Sequence, residues 1–321
     1  MYCVSIEQVQ ALGKAIAAEV GKAVVGQQDS VEKLVIALFS GGHVLLEGPP
    51  GTAKTLMAQS FARALNLDFG RIQFTPDLMP GDILGSNLFN FQTSSFTLTK
   101  GPIFCELLLA DEINRTPPKT QAALLQAMQE REITIDGDTH ILSPRFTVVA
   151  TQNPIEQQGV YPLPEAQLDR FLFKLAIGYP DVEQERKIVA AHGGMFKKIE
   201  ANTFDVQPVT DAEGIAAAID TVSKVTLVDD IVDYIVSIIR ATRESPDLES
   251  GASPRAASLL ARAACARAAL HGRDYTIPDD VKSLAPSVLR HRLMLSPSAE
   301  IDGRQMDAIV DAIVERVEAP R

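Results

Sequence analysis

Apolar residues recur at helical spacing in the first part of the chain. Val9, Ile16 and Val20 would lie on one face of a helix. Ser5 and Gln8 form a capping box, which predicts where this helix begins. A second helix of the same kind follows and ends at a pair of glycines, where a left-handed cap is sterically free. The pattern therefore predicts two amphipathic helices before any strand.

Beyond these helices, short apolar runs alternate with helical stretches. Strands that alternate with helices along a chain form a mostly parallel sheet covered on both faces. The pattern therefore predicts an α/β fold. The predicted strands are residues 43–47, 71–75, 104–110, 146–151 and 171–177, and the predicted helices between several of them include residues 54–65, 119–130 and 182–192.

Two segments interrupt this alternation with the period-2 pattern of β-hairpins. The first pairs residues 89–91 with residues 96–98 across a polar turn that includes Thr93. The second pairs residues 133–135 with a strand that reaches Ile141, across the strong turn signal Asp-Gly. Each hairpin is predicted to project from the edge of the sheet. A small edge extension without functional consequence is the alternative for both.

The last third of the chain shows helical periodicity only. We therefore expect two domains, with residues 1–200 forming an α/β domain that carries the two hairpins and residues 201–321 forming an all-α domain. The predicted helices of the second domain are residues 211–222, 229–243, 254–270, 278–293 and 304–317.

Composition and charge narrow the class of protein. Apolar residues make up 46% of the 321 positions, enough for a full core. The 30 Lys and Arg against 41 Asp and Glu give a net charge of −11, which argues against a surface that neutralises phosphate backbones. Three scattered cysteines do not suit a disulfide framework, and no apolar run approaches the ~20 residues that span a bilayer. We expect a cytoplasmic protein without membrane insertion and without a nucleic-acid partner.

A glycine-rich segment lies between the first predicted strand and the helix after it, which is the context of a phosphate-binding loop. Its main-chain N–H groups and the helix N-terminus would face an anion. The Lys54 ammonium would reach the β- and γ-phosphates, and the Thr55 hydroxyl would hold Mg²⁺. The segment consists of Gly48, Pro49, Pro50, Gly51, Thr52, Ala53, Lys54 and Thr55.

Ala53 stands where this kind of loop has its second glycine. A left-handed alanine costs about 1–2 kcal/mol, whereas an alanine in the first helical turn costs nothing. Because Gly51 already supplies flexibility inside the loop, we expect Ala53 to adopt the helical conformation. A proline-glycine turn with a solvated lysine is the alternative for the whole segment.

Two carboxylates, Asp111 and Glu112, end a buried predicted strand. Open α/β sheets bind ligands at the carboxyl ends of their strands, so these side chains are expected to converge with Lys54. Asp111 would then hold Mg²⁺, and Glu112 would activate the water that attacks the γ-phosphate. Asn153 ends the following strand and would hydrogen-bond the γ-phosphate or that water. An acidic pair that caps a turn and a turn-forming Asn-Pro are the ordinary alternatives.

Five further motifs follow the phosphate loop in a fixed order. They are DEINR at residues 111–115, PPKTQ at 117–121, TQNP at 151–154, EAQLDRF at 165–171 and SPRA at 253–256. With these spacings the set resembles that of the MoxR-type AAA+ ATPases, in the helix-2-insert branch of the AAA+ superfamily. The resemblance covers nearly the whole chain, up to its last helices.

The resemblance implies a fold and a function. The fold is a P-loop AAA+ core with a parallel five-stranded sheet, followed by a smaller all-α lid domain, and the hairpins would be the helix-2 insert and the pre-sensor-1 insert. The activity is Mg²⁺-dependent hydrolysis of ATP by a ring, with a hexamer as the family expectation. Hydrolysis would drive chaperone-like remodelling or maturation of partner proteins. Proteins with von Willebrand factor A domains are the implied partners.

The resemblance also implies roles for individual residues. Residues 48–55 would be the Walker A motif and residues 107–112 the Walker B motif. Arg170 would be an arginine finger supplied to a neighbouring subunit, although a surface ion pair with Asp169 is its ordinary alternative. The implied catalytic residues are Lys54, Glu112, Arg170 and Asn153 as sensor 1, the metal ligands are Thr55 and Asp111, and the nucleotide would also contact Val25, Gly26 and Gln27 at the adenine and Arg255 as sensor 2.

Two other functions stay open at this point. A chelatase-like or nucleic-acid-directed motor would use the same ATPase core, and a basic stripe on the hairpins would distinguish it. A non-hydrolysing scaffold gated by nucleotide would follow if Ala53 distorted the loop. The other basic residues of the lid are expected on a solvated surface. They are Arg262, Arg267, Arg273, Lys282, Arg290 and Arg292.

Overall fold

The computed structural model of the protein combines a parallel sheet, the helices around it, two hairpins and a helical domain. As predicted, two helices precede the first strand: α1 (Ile6–Ala23) and α2 (Gln28–Phe39). No helix within the described ranges is both long and apolar enough to cross a membrane. The described residues are 4–91, 94–154, 160–192 and 201–320.

The capping box at the start of α1 is present. The Ser5 N–H donates to Gln8 Oε1 at 2.8 Å, and the Gln8 N–H donates to Ser5 Oγ at 3.4 Å. These two bonds satisfy main-chain donors that the first helical turn leaves without partners. The helix then buries its apolar face, including Val9, Ile16 and Val20.

The α/β domain follows the predicted alternation of strands and helices. Its elements in chain order are β1 (Val44–Glu47), α3 (Lys54–Leu65), β2 (Phe69–Gln73), α4 (Pro80–Leu84), β3 (Gly85–Asn90), β4 (Ser95–Lys100), β5 (Leu107–Asp111), α5 (Pro118–Glu130), β6 (Glu132–Ile135), β7 (Asp138–Ile141), β8 (Thr147–Gln152), α6 (Glu165–Leu168), β9 (Phe173–Ala176) and α7 (Val182–His192). The main sheet has five parallel strands in the order β2-β5-β8-β1-β9, which confirms the predicted fold class.

The strand order decides where polar side chains can meet. β8 lies between β1 and β5, with Thr151 beside Leu46 on one side and Ala150 beside Ala110 on the other. The carboxyl ends of β1, β5 and β8 therefore lie next to one another. Whatever follows these three strands in the chain meets at the same edge of the sheet.

Both predicted hairpins are present. β3 pairs with β4 and β6 pairs with β7, each in antiparallel register. Asp136 and Gly137 have φ angles of 51° and 96°, the positive values that an Asp-Gly hairpin turn requires. The Asn87 side chain donates to Asp136 Oδ2 at 3.0 Å, so the turn of the second hairpin contacts a strand of the first. Thr93, in the predicted turn of the first hairpin, lies outside the described residues.

The last third of the chain contains strands as well as helices, so the prediction of helices only was wrong. Its elements are α8 (Ala212–Val222), α9 (Asp229–Arg243), β10 (Leu248–Ser250), α10 (Pro254–Leu270), α11 (Pro278–Leu289), β11 (Met294–Leu295), α12 (Pro297–Ile301) and α13 (Met306–Arg316). β10 and β11 pair antiparallel. Strands of three and two residues are too short to show a period-2 pattern, which is why the sequence did not predict them.

Four of the lid arginines, Arg267, Arg273, Arg290 and Arg292, have side chains that are largely buried, which corrects the expectation of a solvated surface for them. Asp280 has a fully buried carboxylate that accepts from Arg267 and Arg273, at 2.7 Å in each case. The Arg292 side chain is only 2% exposed. Buried charges persist where they are paired and hydrogen-bonded, and long-range pairing of this kind leaves no periodic signal in a sequence.

Helices α1 and α2 join the two predicted domains. α1 packs against α3 of the α/β domain and against α10 of the helical domain. A Cβ on Gly13 would lie 2.4 Å from Leu270 Cδ2, so α1 and α10 approach closely. A single hydrophobic core contains both Phe61 of α3 and Leu260 of α10. The two parts of the chain therefore share a core. The division into two domains between residues 200 and 201 remains a proposal.

Candidate nucleotide-binding site

The glycine-rich loop connects β1 to α3. Ala53 directly precedes α3 with φ 61° and ψ 19°, which is the left-handed conformation. The expectation that Ala53 would be helical was therefore wrong. The path from the strand into the helix requires a left-handed residue here, at a cost of about 1–2 kcal/mol for alanine. The methyl side chain of Ala53 cannot cap α3, so the first N–H groups of the helix remain available to an anion.

The Lys54 side chain bends back over the loop. Its Nζ donates to the carbonyl oxygens of Gly48 at 2.6 Å and Pro49 at 2.7 Å. Burial lowers the pKa of Lys54, and the neighbouring Asp111 and Glu112 oppose that shift. The lysine and both carboxylates therefore lie at the same edge of the sheet.

Asp111 ends β5 and is 6% exposed. Its Oδ2 lies 3.2 Å from the Thr55 hydroxyl and accepts from Arg71 Nη2 at 2.8 Å. Its Oδ1 accepts from the Thr151 hydroxyl at 2.7 Å. The structure thus brings the two predicted metal ligands, Thr55 and Asp111, together. Arg71, on β2, forms an ion pair with the Asp111 carboxylate.

The oxygen atoms of Thr55 and Asp111 fit Mg²⁺. Magnesium prefers oxygen ligands, takes one or two of them from the protein, and completes its shell with water and phosphate oxygens. Within the described part of the chain, no group of three or more His, Cys, Asp or Glu could hold a metal ion. The Thr55 and Asp111 oxygens would supply part of the magnesium shell, and water and the phosphate oxygens of a ligand would supply the rest.

Glu112 adopts the left-handed conformation, with φ 59° and ψ 50°. Residues other than glycine in this region of backbone space cluster at functional sites. The Glu112 N–H donates to the Thr151 hydroxyl at 2.9 Å. Its carboxylate accepts from Gln73 Nε2 at 2.9 Å and pairs with Arg115 Nε at 3.0 Å. These contacts hold the carboxylate toward β2.

The side chains of Lys54, Thr55, Asp111 and Glu112 line one cavity of about 520 Å³. Asn153 follows β8, is 7% exposed and lines the same cavity. Helix α7 packs against residues 25–27, where a Cβ on Gly26 would be 2.3 Å from the Gln184 side chain. The predicted binding residues that line the cavity are Val25, Gln27, Pro50, Gly51, Thr52, Ala53, Lys54, Thr55, Asp111, Glu112 and Asn153.

Several lining residues were not predicted. Arg71 and Thr151 line the cavity and contact Asp111 directly, whereas Gln73 lies outside the lining and contacts Glu112. Thr151 ends a predicted strand, so its position was a signal that the sequence offered, whereas the contacts of Arg71 and Gln73 depend on the pairing of β2 with β5. The other unpredicted residues of the lining are Ala23, Leu56, Gln59, Gln152, Gly178, Pro180 and Ile188.

Arg170 and Arg255 do not line this cavity. Arg170 precedes β9, so it lies at the amino edge of the sheet, opposite the phosphate loop, and its Nε donates to Gln129 Oε1 at 3.1 Å. Arg255, in the first turn of α10, has its Nε 3.7 Å from Asp169 Oδ2. The structure thus places both arginines beside Asp169 and outside the lining of the nucleotide cavity.

Comparison with known proteins identifies relatives along the whole chain. Residues 43–173 match the model of the ATPase family associated with various cellular activities (AAA), and residues 240–313 match the AAA lid domain. Uncharacterized protein YeaC of Bacillus subtilis is 46% identical over 96% of this chain and 95% of its own length. Chaperone MoxR1 of Mycobacterium tuberculosis is 42% identical over 98% and 84%, and protein MoxR of Methylorubrum extorquens is 31% identical over 94% and 93%.

A solved structure agrees with these relatives. A crystal structure from Cytophaga hutchinsonii, provisionally described as that of an ATPase, matches with a TM-score of 0.89 at 40% identity. The match covers 98% of this chain and 97% of that one, so it includes both the sheet and the helical domain. With its parallel five-stranded core, its phosphate loop and its lid, the chain belongs to the MoxR-type AAA+ ATPases.

Proposed function

We propose that the protein hydrolyses ATP in a Mg²⁺-dependent reaction. The observation that supports this most strongly is the convergence of phosphate-binding and water-activating groups at one edge of the sheet. The start of α3, the Lys54 ammonium and the Thr55–Asp111 pair lie in one cavity with Glu112. A helix N-terminus beside a lysine binds phosphate, and a cavity of about 520 Å³ suits a small-molecule ligand.

Each side chain has a separate task in this reaction. Lys54 exchanges the loop carbonyls for phosphate oxygens, and Thr55 and Asp111 hold the cation. Mg²⁺, when bound, neutralises charge on the β- and γ-phosphates. Glu112 accepts a proton from the attacking water, and Asn153 orients that water or the phosphate. In this step Glu112 exchanges its contacts with Gln73 and Arg115 for a contact with the attacking water.

We further propose that Arg170 and Arg255 act on the nucleotide of a neighbouring subunit. Both lie near the amino edge of the sheet, away from their own cavity. A guanidinium supplied in trans stabilises the charge on the transferring phosphoryl group. A head-to-tail contact that repeats from subunit to subunit either closes into a ring or grows without limit, and the proposed assembly is a closed ring with six subunits as the family expectation.

The proposed output is chaperone-like remodelling or maturation of partner proteins, including those with von Willebrand factor A domains. The first hairpin exposes three aromatic rings, with Phe89 43%, Phe91 87% and Phe96 71% exposed. Phe89 stacks edge-on with Phe91 and Phe96 at centroid distances of 5.1 and 5.2 Å. An exposed apolar cluster favours a protein partner over a phosphate backbone. One relative is named a chaperone, which supports the same proposal.

Phosphate release from ATP and Mg²⁺, compared between the wild type and Glu112→Gln, tests the hydrolysis. We expect the variant to bind nucleotide with unchanged affinity and to lose turnover, because only the water-activating carboxylate is removed. Equal, negligible rates in both proteins would instead support the non-hydrolysing scaffold.

Co-purification with ATP-loaded Glu112→Gln tests the partner class. We expect proteins to be retained, and fewer of them after Phe91→Ser, which removes the most exposed aromatic ring of the hairpin. Retention of nucleic acid alone would contradict the chaperone proposal and favour the nucleic-acid-directed motor.

A further inference from the structure

Asp169 lies between the lid and the predicted arginine finger. Its Oδ1 accepts from Arg292 Nε at 2.6 Å, and its Oδ2 lies 3.7 Å from Arg255 Nε. Arg170 is the next residue in the chain. One carboxylate therefore contacts two arginines of the lid and adjoins the arginine that is proposed to reach the neighbouring subunit.

Arg292 also holds the main chain around Asp169. Its Nη2 donates to the carbonyl oxygens of Asp169 at 3.0 Å and Phe171 at 2.6 Å, and its Nη1 donates to that of Leu172 at 3.3 Å. The Arg292 side chain is 2% exposed. The guanidinium is a rigid planar fork, so several bonds to one short segment set both the position and the orientation of that segment.

The two ion pairs of Asp169 differ in strength. The pair with Arg292 is short and buried, whereas the pair with Arg255 is 3.7 Å long and the Arg255 side chain is 47% exposed. Exposed, long ion pairs contribute little to stability. Asp169 therefore places Arg255 without holding it tightly, and the exposed Arg255 guanidinium can reach a phosphate anion while Asp169 remains on Arg292.

We propose that Asp169, held by Arg292, is a positioning residue that keeps Arg170 and Arg255 together as one unit for the nucleotide of the neighbouring subunit. The inference rests on the proposed function. Arg255 and Arg292 belong to the lid, whereas Arg170 belongs to the segment that enters β9. A movement of the lid in one subunit therefore displaces the arginine finger that this subunit presents to the next one.

Asp169→Asn tests the proposal, since it keeps the shape of the side chain and removes its charge. We expect turnover to fall about 10- to 100-fold through misplacement of the two arginines, with ADP affinity unchanged. Arg292→Lys keeps the positive charge but lacks the planar guanidinium, so we expect turnover to fall in this variant as well. Asp247→Asn is the matched control, because the Asp247 carboxylate is as exposed as that of Asp169 and also pairs with a lid arginine, Arg304 at 2.6 Å, far along the chain from the finger.

A subunit-mixing experiment separates a role in trans from general damage. Asp169→Asn has an intact nucleotide site but a misplaced finger, and Lys54→Ala has an intact finger but no working site. In a ring assembled at random from equal amounts of the two variants, about a quarter of the interfaces combine an intact nucleotide site with an intact finger from the neighbour. We therefore expect equimolar mixing to restore about a quarter of the wild-type rate per subunit. Mixing Asp169→Asn with a Lys54→Ala, Arg170→Ala double variant supplies no finger and should restore nothing.

The outcomes distinguish the two proposals. Wild-type turnover in Asp169→Asn, or a mixture no more active than its parts, would overturn the positioning role while leaving ATP hydrolysis in place. A wild-type protein that releases no phosphate would overturn the proposed function, and the inference with it. Loss of ADP affinity in Asp169→Asn would show damage to its own nucleotide site and would also contradict a role in trans.

Discussion

The two edges of the main sheet hold two different kinds of site. At the carboxyl edge, the phosphate loop and the residues that end β5 and β8 form the nucleotide cavity. At the amino edge, Asp169, Arg170, Arg255 and Arg292 form what we call the amino-edge cluster. The cavity is built largely from short motifs and main-chain groups. The cluster joins side chains as far apart as 123 positions, so its geometry depends on how the lid packs against the sheet.

Arg170→Ala should have the largest effect and separates the two edges by function. We expect turnover to fall about 10³- to 10⁵-fold while nucleotide affinity stays unchanged, because we propose that the Arg170 finger acts only on the transition state in the neighbouring subunit. Lys54→Ala should instead weaken binding itself. Steady-state phosphate release and calorimetric titration with ADP measure the two quantities. Arg186→Ala removes an exposed pair with Glu183 and serves as the control, and nucleotide affinity lost in Arg170→Ala would contradict the separation.

Arg292→Ala should have the largest effect on stability. It leaves Asp169 without its buried partner, and breaking a buried ion pair costs about 3–5 kcal/mol of the free energy of unfolding. Arg304→Ala breaks a more exposed lid pair and should cost less than about 1 kcal/mol. Urea unfolding of both variants measures the difference. Equal, small losses would show that the cluster adds little to the docking of the lid.

The pH dependence of stability should report on His43, which precedes β1 at the amino edge. Burial lowers the pKa of His43 to about 4, and its ring bonds the Met128 carbonyl oxygen and the Val148 N–H, both at 3.0 Å. The unfolded chain binds this proton near pH 6.5, so stability falls as pH drops from about 6.5 to 4, by about 3 kcal/mol from this residue. Above pH 6.5 its contribution is fully present.

Burial also lowers the pKa of other histidines, such as His291, so they too make stability fall as pH drops. A comparison of the wild type with His43→Gln isolates the contribution of His43. The difference in unfolding free energy between wild type and His43→Gln should narrow as pH falls from 6.5 to 4. Parallel pH profiles for the two proteins would contradict a neutral, buried His43.

Ala53→Gly should give the smallest effect and concerns the nucleotide edge. Glycine relieves the left-handed strain at φ 61° but loses more backbone entropy, so we expect a net gain of up to about 1 kcal/mol. Gly51→Ala is the reciprocal change at φ 79° and should destabilise by about 1–2 kcal/mol. Thermal unfolding without nucleotide measures both. A loss of stability in Ala53→Gly would mean that the methyl group contributes packing that outweighs the strain.

Local patterns were sufficient for much of the fold. The period-3.6 pattern of residues 182–192 and the Asp-Gly signal of the second hairpin predicted elements that the structure contains. They succeeded because each pattern reflects interactions within a few residues. The conformation of Ala53 was mispredicted for the opposite reason, since the path from β1 into α3 overrides the local preference of alanine.

The sequence by itself determined the fold class, the phosphate loop and the acidic pair at the end of β5, because glycine spacing, apolar runs and turn residues express local physics. Only the tertiary structure decided that Thr151 and Arg71 both bond Asp111, that Gln73 holds Glu112, and that Asp169 bonds Arg292. Each of these contacts depends on strand order or on the docking of the lid. The interaction energy of two charges depends on their distance in space and not on their separation along the chain. The folded positions of the side chains therefore decide which pairs form.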